Sequence, residues 1–276
     1  YDSGFDNVAT YTNITMDEVS DLVQDIIFSR HPNDCKKTGL FIAGEDAEEA
    51  IEMLEKAKKA MVPPFQISVF ADPAGSFTTA AAMIACVKNL LLSKFKTDLK
   101  NKKLQIVGAK GIVGGACAVI AAQEGAKVGM IVHRDGAIDP INKRVKEYKK
   151  KYNVDLDPIM GITDEEKTKM SEDADIILSA AKAGKEALLL KHFSTAKNLK
   201  IISDVNAVPP SGIEGLEVNS NGEKIKNTEV LGIGALAVGQ IKAQVQRKLL
   251  KLMCESDEPV FLDFREAYKI AQEIKK

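Results

Sequence analysis

The stretch LQIVGAKGIVGGACAVIAAQEGAKVGMIVHR, residues 104–134, constrains the fold more than any other part of the chain. It begins with the apolar run LQIV, turns through several glycines, continues as an apolar helical segment and returns as a second apolar run. This order is typical of a β-α-β unit, in which a helix joins two parallel strands. The stretch therefore predicts an α/β fold with a parallel sheet.

The sequence on both sides of this unit also alternates between strand and helix patterns. Residues 38–44 and 65–72 are predicted strands, the first of them buried, and residues 12–28, 46–61 and 76–95 are predicted helices. The polar segment KFKTDLKNKK then predicts a domain boundary near residue 98. After this boundary, five predicted strands with helices between them fit a Rossmann-like dinucleotide-binding fold.

We therefore expect two α/β domains. Residues 98–239 would form the dinucleotide-binding domain, and residues 1–97 would form the other domain together with the last two predicted helices, in 240–276. Two predicted helix starts carry the capping-box pattern, a Thr followed three residues later by a Glu: Thr15 with Glu18, and Thr163 with Glu166.

Composition limits the classes of function. The chain of 276 residues is long enough for two domains with their own cores, and its net charge of -1 gives no field that favours nucleic acid or an anionic membrane. The apolar run AAAMIACV is interrupted by Lys88, so we expect no membrane span. Four cysteines without a C-x-x-C pair indicate reduced thiols in the cytoplasm, and isolated histidines predict no metal site. The abrupt start at Tyr1 predicts a further strand upstream.

The turn inside the β-α-β unit is a candidate phosphate-binding loop, formed by Gly108, Ala109, Lys110, Gly111, Ile112 and Val113. Gly111 and Gly114 have the spacing of the second and third glycines of G-x-G-x-x-G. In that motif, the second glycine lets the backbone approach a pyrophosphate, and the third lets the helix pack closely. Ala109 occupies the first position and must avoid a strongly positive φ, which predicts a reshaped loop. A packing loop without a ligand is the alternative.

The end of the second strand, His133-Arg134-Asp135, indicates which dinucleotide the loop would bind. NAD-preferring folds place Asp or Glu here, on the ribose hydroxyls. Arg134 can instead form charge-assisted hydrogen bonds with a 2′-phosphate and stack on adenine, which favours NADP. We include His133 in the same predicted site. A solvated surface role for Arg134 is the alternative, and Asp135 keeps NAD as a second option.

Motifs in a fixed order then indicate a family: YDSGFD and NIT near the start, DPAGSFTTAAA (72–82), KGIVG (110–114), SDVNAVPPSGIEG (203–215) and GIGALAVGQIK (232–242). With them, most of the chain resembles the NAD(P)-dependent methylene-tetrahydromethanopterin and methylene-tetrahydrofolate dehydrogenases of methylotrophic bacteria. The resemblance implies a pterin-binding domain and a Rossmann-like domain with the active site in the cleft between them. It also implies hydride transfer from the methylene bridge of the pterin to the nicotinamide, in one-carbon metabolism. The family's G-T-G-P-V-G loop is A-K-G-I-V-G here.

The resemblance implies that Lys242, at the end of GIGALAVGQIK, is the active-site lysine facing the pterin. Without the resemblance, Lys242 would be taken for a surface lysine. Loss of a hydride from the methylene carbon leaves a methenyl cation stabilised by the flanking nitrogens, and no proton is transferred. We therefore expect Lys242 to orient the pterin, through its carbonyl group or a neighbouring acid, rather than to act as a base.

Further substrate contacts are expected from the N-terminal loop and from DPAGSFTTAAA. The resemblance places Asp2 and Asp6 near the pterin, with a solvated turn as the alternative. DPAGSFTTAAA joins a strand to a helix at the carboxyl edge of the sheet, where ligands bind. Its predicted substrate-binding residues are Asp72, Ser76, Thr78 and Thr79. A helix N-cap for Ser76 and a structural turn role for Asp72 are the alternatives.

The ends of two later predicted strands supply the remaining cofactor contacts. Ser179 and Ala180 are expected against the nicotinamide ribose, and Asn206 is a candidate partner for the carboxamide or the ribose. The expected partners are a small-molecule tetrahydropterin and, in a homo-oligomer, further copies of this chain, with no nucleic acid and no membrane.

The sequence thus predicts an NADP-preferring methylene-tetrahydromethanopterin dehydrogenase, with the folate analogue as a further candidate substrate. One alternative is another two-domain dehydrogenase acting on a hydroxy acid or an amino acid. It would need an acid/base group beside its substrate, and no predicted substrate-binding motif contains a His. The other is a non-catalytic NADP-sensing protein, which would bind NADP without pterin-dependent hydride transfer.

Overall fold

The computed structural model describes residues 3–274, which divide into two compact units. The first unit contains the residues up to Thr78 and those from Lys242 onward, and the second contains Thr79–Ile241. The polar segment near residue 98 lies inside the second unit, between a helix and a strand.

The first unit begins with α1 (Val19–Phe28), α2 (Pro32–Cys35), β1 (Gly39–Ile42), α3 (Ala47–Ala60) and β2 (Ser68–Ala71). The chain then enters the second unit through α4 (Ser76–Leu90), β3 (Lys103–Val107), α5 (Ile112–Gln123), β4 (Lys127–Val132), α6 (Ile138–Tyr152), β5 (Leu156–Met160), α7 (Asp164–Glu172), β6 (Ile176–Ser179), α8 (Leu190–Phe193), β7 (Ile201–Asp204), β8 (Asn221–Lys224) and β9 (Leu231–Ile233). It returns to the first unit through α9 (Ala235–Glu255), β10 (Phe261–Leu262) and α10 (Phe264–Glu273).

The sheet of the first unit is parallel, with the strand order β1-β2-β10 in the described residues. The central strand, β2, is buried along its whole length. The prediction of a buried β1 is wrong, because β1 lies at the edge of this sheet and its Phe41 is 43% exposed. The two-residue strand β10 is too short to be recognised from a sequence pattern.

One of the predicted capping boxes forms completely. At the start of α7, the Thr163 hydroxyl accepts the Glu166 amide at 3.2 Å, and the Glu166 carboxylate accepts the Thr163 amide at 3.1 Å. At Thr15 only the carboxylate half forms, because the Glu18 carboxylate accepts the Thr15 amide at 2.8 Å while helix α1 begins at Val19. The Thr15 hydroxyl donates to the same carboxylate and therefore caps no amide.

The sheet of the second unit confirms the predicted Rossmann-like fold. Its strand order in the described residues is β5-β4-β3-β6-β7-β9-β8, parallel throughout except for β8, which runs antiparallel to β9. The chain moves outward from β3 to β5 and then returns to the other side of β3 at β6. This switch point leaves a crevice at the carboxyl ends of β3 and β6, where doubly wound sheets bind ligands. The polar strand β8 and the short strand β9 were not predicted.

Helix α4 is both long and apolar. With its flanking turns it spans Pro73–Phe95, which is long and apolar enough to cross a membrane. The expectation that Lys88 makes this segment too short or too polar to span a membrane is therefore wrong. However, 72% of its most apolar 18-residue window is buried within the protein, as in the core helix of a globular protein. Lys88 pairs with Glu124 at 2.6 Å, which compensates for its charge in this apolar setting.

Candidate active site

The loop after β3 is shaped by contacts with its own protein. Gly108 has a φ of +79°, and a Cβ added there would lie 2.3 Å from the carbonyl oxygen of Ala180. The Gly108 carbonyl accepts the Gly111 amide at 2.9 Å. Ala109 is buried and keeps a negative φ. The positive φ thus falls on Gly108, one residue before the usual first glycine, and the predicted reshaping of the loop is confirmed.

The structure explains the glycine at position 114 but not the one at position 111. A Cβ added at Gly114 would lie 2.5 Å from the Gly108 oxygen, so the close packing of α5 on the loop requires glycine there. Gly111 has φ -71° and ψ 170°, which any residue can adopt. A Cβ added at Gly111 would meet only the Gly108 oxygen, at 3.3 Å. The fold therefore tolerates a small side chain at Gly111. Such a side chain would, however, block the approach of a phosphate to the backbone of Gly111.

Helix α5 presents its N-terminus beside this loop. Gly111 is its N-cap, and no side chain in the described part of the chain caps it. The first amides of a helix lack intrahelical partners, and the helix dipole attracts an anion to them. Ile112 and Val113 in this first turn are half-buried, and Lys110 is exposed without an ion pair among residues 3–274. The loop and helix together therefore suit a pyrophosphate.

Basic side chains converge beyond the end of β4. The β3–β4 register, with Ile106 opposite Met130, puts His133 and Arg134 beside the loop. Arg134 is exposed, and its guanidinium forms no ion pair within the described chain. Burial lowers the pKa of His133, and the nearby charges of Arg134 and Lys167 lower it further. Lys167, on α7, was not predicted, because nothing marks one lysine among the charged residues of DEEKTKM.

The side chain at the end of β6 is covered by another part of the second unit. The Ser179 hydroxyl is completely buried, and a Cβ added at Gly212 would lie 2.9 Å from it. Gly212 covers this hydroxyl, so it is shielded from solvent, and the position of Ser179 against the ribose stays a prediction. Ala180 is half-buried and packs against Gly108 at the switch point, so its backbone lies at the crevice.

Asp204, at the end of β7, was missed by the sequence analysis. Its carboxylate is 2% exposed and accepts the amides of Gly212 at 2.8 Å and of Asn206 at 3.2 Å. Burial raises its pKa. The Asn206 side chain, predicted to meet the cofactor, donates to the Pro210 carbonyl at 3.0 Å and accepts the Val208 amide at 2.9 Å. Asn206 therefore shapes the loop that follows β7.

This loop lines a cavity of about 220 Å³. Its walls are formed by residues 206–209, 211 and 215–218. Val208 and Val218 on these walls are 53% and 37% exposed, so part of the lining is apolar and accessible to solvent. The cavity lies at the carboxyl edge of the parallel sheet, where doubly wound folds bind ligands.

In the first unit, Asp72 caps the start of α4. Its Oδ1 accepts the amides of Phe77 and Thr78 at 3.0 and 3.1 Å, and its Oδ2 accepts the Thr78 hydroxyl at 2.8 Å and the Gln246 side chain at 3.0 Å. A carboxylate has about four lone-pair positions, so protein donors occupy them all. Burial raises the pKa of Asp72, against the lowering effect of these bonds and of Lys242. These bonds give Asp72 the structural turn role that was the alternative, and its contact with the pterin stays a prediction.

Lys242 lies directly over the turn that Asp72 begins. A Cβ added at Gly75 would be 2.9 Å from the Lys242 Nζ, so a side chain there would displace the ammonium group. Ala74 and Gly75 both have left-handed φ values, 49° and 65°, a conformation that is strained for Ala74. Lys242 is half-buried, and its ammonium group forms neither a hydrogen bond nor an ion pair with any residue that the structure describes. The structure thus brings together Lys242, Asp72 and this turn.

The predicted hydroxyl groups of α4 have different environments. Ser76 begins the helix and is 8% exposed, and its hydroxyl forms no hydrogen bond within the described residues. The alternative of an N-cap role for Ser76 is wrong, because Asp72 caps the helix. The Thr78 hydroxyl is fully buried and donates to Asp72, so it is not available to a ligand. Thr79 follows on the helix and is half-buried.

The predicted pterin contacts of the N-terminal acids stay predictions. Asp2 lies outside the described residues, and Asp6 is exposed. The segment just before Asp6 is attached at the other end of α9, where the Cys254 thiol donates to the Gly4 carbonyl at 3.3 Å. Cys254 is about 18 Å along the helix from Lys242.

The doubly wound sheet, the glycine loop at an uncapped helix and the basic end of β4 define a dinucleotide-binding protein of the Rossmann class. A family described as methylene-tetrahydromethanopterin dehydrogenase, N-terminal, matches residues 1–74. An NAD(P)-dependent methylenetetrahydromethanopterin dehydrogenase of Methylorubrum extorquens is 45% identical over 273 residues, which cover 99% of this chain and 91% of the relative. The chain belongs to this dehydrogenase family, and the predicted resemblance is confirmed.

One further relative and one solved structure are less similar to this chain. The bifunctional protein MdtA of the same organism is 30% identical over 278 residues, covering 99% of this chain and 92% of that protein. Among solved structures, the NAD-dependent malic enzyme of Thermotoga maritima aligns with 95% of this chain and 72% of its own, with a TM-score of 0.53 and 14% identity. At that identity the likeness shows the fold alone.

Proposed function

We propose that this protein oxidises methylene-tetrahydromethanopterin to its methenyl form by transferring a hydride to NADP, as a step of one-carbon metabolism. The carbon–hydrogen bond of the methylene bridge breaks, and its electron pair leaves with the hydrogen. The flanking nitrogens stabilise the cation that remains, so no proton is gained or lost. The observation that carries the proposal is 45% identity, across 99% of the chain, to a relative that bears this activity in its name.

The second unit offers the groups that the cofactor needs. NADP, when bound, supplies the nicotinamide carbon that accepts the hydride. The proposed contacts are the loop Gly108, Ala109, Lys110, Gly111, Ile112 and Val113, the side chains of His133, Arg134 and Lys167, and the backbone of Ala180. Gly111 supports this assignment, because an added Cβ would meet a single atom of the protein, the Gly108 oxygen at 3.3 Å, far less crowding than at Gly108 or Gly114. Arg134 favours NADP through its 2′-phosphate, and NAD stays an accepted alternative.

The first unit offers the groups that would bind the pterin. Lys242 and Ser76 carry a cation and a hydroxyl that are not engaged by described residues. Because the reacting carbon becomes positive, an ammonium group beside it would oppose the reaction. Lys242 is therefore assigned to the pterin carbonyl or an acidic group, where it orients the ring for a hydride transfer over about 3–3.5 Å. We accordingly propose residues 1–97 with 240–276 as the pterin-binding domain and residues 98–239 as the NAD(P)-binding domain.

The positions of the histidines favour this reaction over a hydroxy-acid dehydrogenase. Such an enzyme needs an acid/base group beside its substrate. His31 caps α2 by accepting the Asn33 amide at 3.3 Å, and the buried His192 accepts the Leu189 amide at 3.0 Å. His133 is assigned to the adenosine end of the cofactor, so each of the three histidines in the sequence already has another role.

An absorbance assay of NADPH formation tests the proposal. The purified chain is mixed with methylene-tetrahydromethanopterin or methylene-tetrahydrofolate, each with NADP and with NAD. We expect the highest rate with methylene-tetrahydromethanopterin and NADP. No activity with either pterin would refute the proposed reaction.

We further propose that the enzyme works in the cytoplasm as a homo-oligomer. The buried thiols of Cys35, Cys86 and Cys117 suit a reducing compartment. Light scattering on the purified protein tests the oligomeric state, and a monomer at assay concentrations would contradict this part of the proposal.

A further inference from the structure

Asp204 is a buried carboxyl group for which the described residues supply no cation. It is 2% exposed, and none of the ion pairs in residues 3–274 includes it. A buried charge is costly unless it is paired or well hydrogen-bonded. The donors that Asp204 does have are backbone amides of the segment that follows it. Because burying this carboxyl group is unfavourable, we look for its role in the hydrogen bonds that it forms with those amides.

The bonds of Asp204 fold the next residues back over the end of β7. Its two oxygens accept the Asn206 amide at 3.2 Å and the Gly212 amide at 2.8 Å. Ser179 lies opposite Asp204 in the β6–β7 register. Its hydroxyl lies close enough to lower the pKa of Asp204, although it lacks a hydrogen bond of normal geometry. Gly212 lies over both groups, because a Cβ there would be 2.8 Å from the Asp204 carboxylate and 2.9 Å from the Ser179 hydroxyl.

Further bonds fix residues 206–212, here named the β7 loop, at both of its ends. The Asn206 side chain bonds the Val208 amide and the Pro210 carbonyl at its beginning. At its end, the Gly212 carbonyl accepts the amides of Ala187 and Leu188 at 2.7 and 3.2 Å. The β7 loop contributes much of the lining of the 220 Å³ cavity. The shape of this cavity therefore depends on Asp204.

The strand order indicates which part of a dinucleotide would lie at this cavity. A dinucleotide binds across the switch point, with its two nucleotide halves on opposite sides. Arg134 follows β4, on one side of the switch point between β3 and β6. The β7 loop follows β7, on the other side. With the 2′-phosphate at Arg134, the nicotinamide half would lie on the side of the β7 loop.

We infer that Asp204 is a positioning residue for the nicotinamide half of the cofactor. It acts through the β7 loop and does not contact the reacting atoms. Ser179 supports the same loop from the neighbouring strand. This inference rests on the proposed binding of NAD(P) and deepens it, since it assigns the affinity for one half of the cofactor to a single buried side chain.

Calorimetric titration of the full chain with NADP and with 2′,5′-ADP separates the two halves, because 2′,5′-ADP lacks the nicotinamide nucleotide. In Asp204→Asn, the side-chain N–H group would face the amide of Gly212 or Asn206, which is also a donor. We expect NADP to bind about tenfold more weakly or worse, and 2′,5′-ADP to bind within about twofold of the wild type. In steady-state kinetics, KM for NADP should rise while KM for the pterin stays unchanged.

Two further variants make the result decisive. Gly212→Ala would push the β7 loop away from Asp204 without removing the carboxylate, and it should show the same selective loss if Asp204→Asn does not fold. Asp175→Asn is the matched control, because Asp175 lies at the amino end of β6 and accepts the Lys200 ammonium at 2.7 Å and the Lys103 amide at 3.0 Å. It should leave the affinities for NADP and 2′,5′-ADP unchanged.

Two results would overturn the role of Asp204. One is an equal loss of affinity for NADP and for 2′,5′-ADP. The other is an unchanged affinity for both compounds in Asp204→Asn and also in Gly212→Ala. A wild-type chain that binds neither compound would instead overturn the proposed cofactor. Circular dichroism of each variant shows whether a loss reflects the site or general unfolding.

Discussion

The side-chain amide of Gln246 donates a hydrogen bond to the buried carboxylate of Asp72 at 3.0 Å, across 174 residues of sequence. Gln246 follows Lys242 by one helical turn, so both side chains lie on the same face of α9. Asp72 in turn caps α4 and begins the turn over which Lys242 lies. This bond therefore ties the face of α9 that carries Lys242 to the start of α4.

Replacing Gln246 should weaken both the fold and the active site. Gln246→Leu leaves a buried oxygen of Asp72 with one donor fewer, which should lower the free energy of unfolding by about 1–3 kcal/mol. Turnover should also fall, because Lys242 loses part of its support. Denaturant unfolding and the pterin assay measure the two effects. Lys248→Leu, on the exposed face of the same helix, is the control, and equal effects of both variants would contradict the prediction.

Lys242 should govern turnover by orienting the pterin and not as an acid or a base. Lys242→Ala should reduce kcat by about a hundredfold, because a small misplacement of the reacting rings is costly, and should leave NADP binding intact. Lys242→Gln keeps a hydrogen-bond donor and should retain more activity than Lys242→Ala. A pH–rate profile of the wild type checks the role: a limb that disappears in Lys242→Gln would identify Lys242 as an acid or base.

Arg134 should determine the choice of cofactor. Its guanidinium is exposed and unpaired within the described chain, so Arg134→Ala removes little except a contact with the 2′-phosphate. One charge-assisted contact is worth about 1.5–3 kcal/mol, so NADP should bind roughly tenfold to a hundredfold more weakly while NAD changes little. Titration with both cofactors measures this. The exposed Arg247 provides a control, Arg247→Ala, and a loss shared equally by NADP and NAD in Arg134→Ala would exclude the 2′-phosphate contact.

Gly111 and Gly114 should respond in opposite ways to added side chains. Gly111→Val should abolish dinucleotide binding and leave the melting temperature close to that of the wild type, because the added Cβ meets only one oxygen at 3.3 Å. Gly114→Ala should destabilise the fold by about 1–3 kcal/mol through overpacking against the Gly108 oxygen. Thermal unfolding and calorimetric titration separate the two effects. Unchanged NADP binding in Gly111→Val would move the phosphate site elsewhere.

Asp204 and Asp175 should contribute to stability with opposite dependence on pH. Burial raises the pKa of Asp204, so its contribution is fully present below the unfolded value of about 3.9 and is lost as the pH rises through the folded pKa. Burial alone would raise the pKa of Asp175 too, but the bonds from Lys200 and Lys103 outweigh it and lower that pKa. The contribution of Asp175 is therefore present above about 3.9 and is lost as the pH falls.

Denaturant unfolding of the wild type, Asp204→Asn and Asp175→Asn between about pH 3 and pH 7 checks these signs. The stability difference between wild type and variant should decrease with rising pH for Asp204→Asn and increase for Asp175→Asn. The same direction for both variants would show that the environment of one carboxylate has been misjudged.

The sequence predicted those features that depend on neighbouring residues. The strands β3 to β7, the capping box at Thr163 and the displaced first glycine all follow from local spacing. The edge position of β1 could not be predicted in this way, because an apolar strand has the same sequence pattern at the edge of a sheet as at its centre. Phe41 is therefore exposed although its pattern is that of a buried strand.

The site residues were harder to predict, because the position of a side chain at the end of a strand does not reveal its direction. Asp72 and Ser179 lie where ligands bind, yet protein donors occupy Asp72 and Gly212 covers Ser179. The roles of Gln246, Lys167 and Asp204 depend on partners brought close only by folding. No local pattern distinguishes these residues from other polar residues on helices and loops.

The loop after β3 has a thermodynamic consequence. The bond between the Gly108 carbonyl and the Gly111 amide, the packing of Gly114 and the contact with Ala180 hold this loop in one conformation. Fixing one residue of backbone costs about 1–2 kcal/mol of conformational entropy. Because the protein's own contacts order the loop, this entropy is lost when the chain folds. A pyrophosphate then binds a loop that is already ordered, so the binding free energy is not reduced by the cost of ordering the loop.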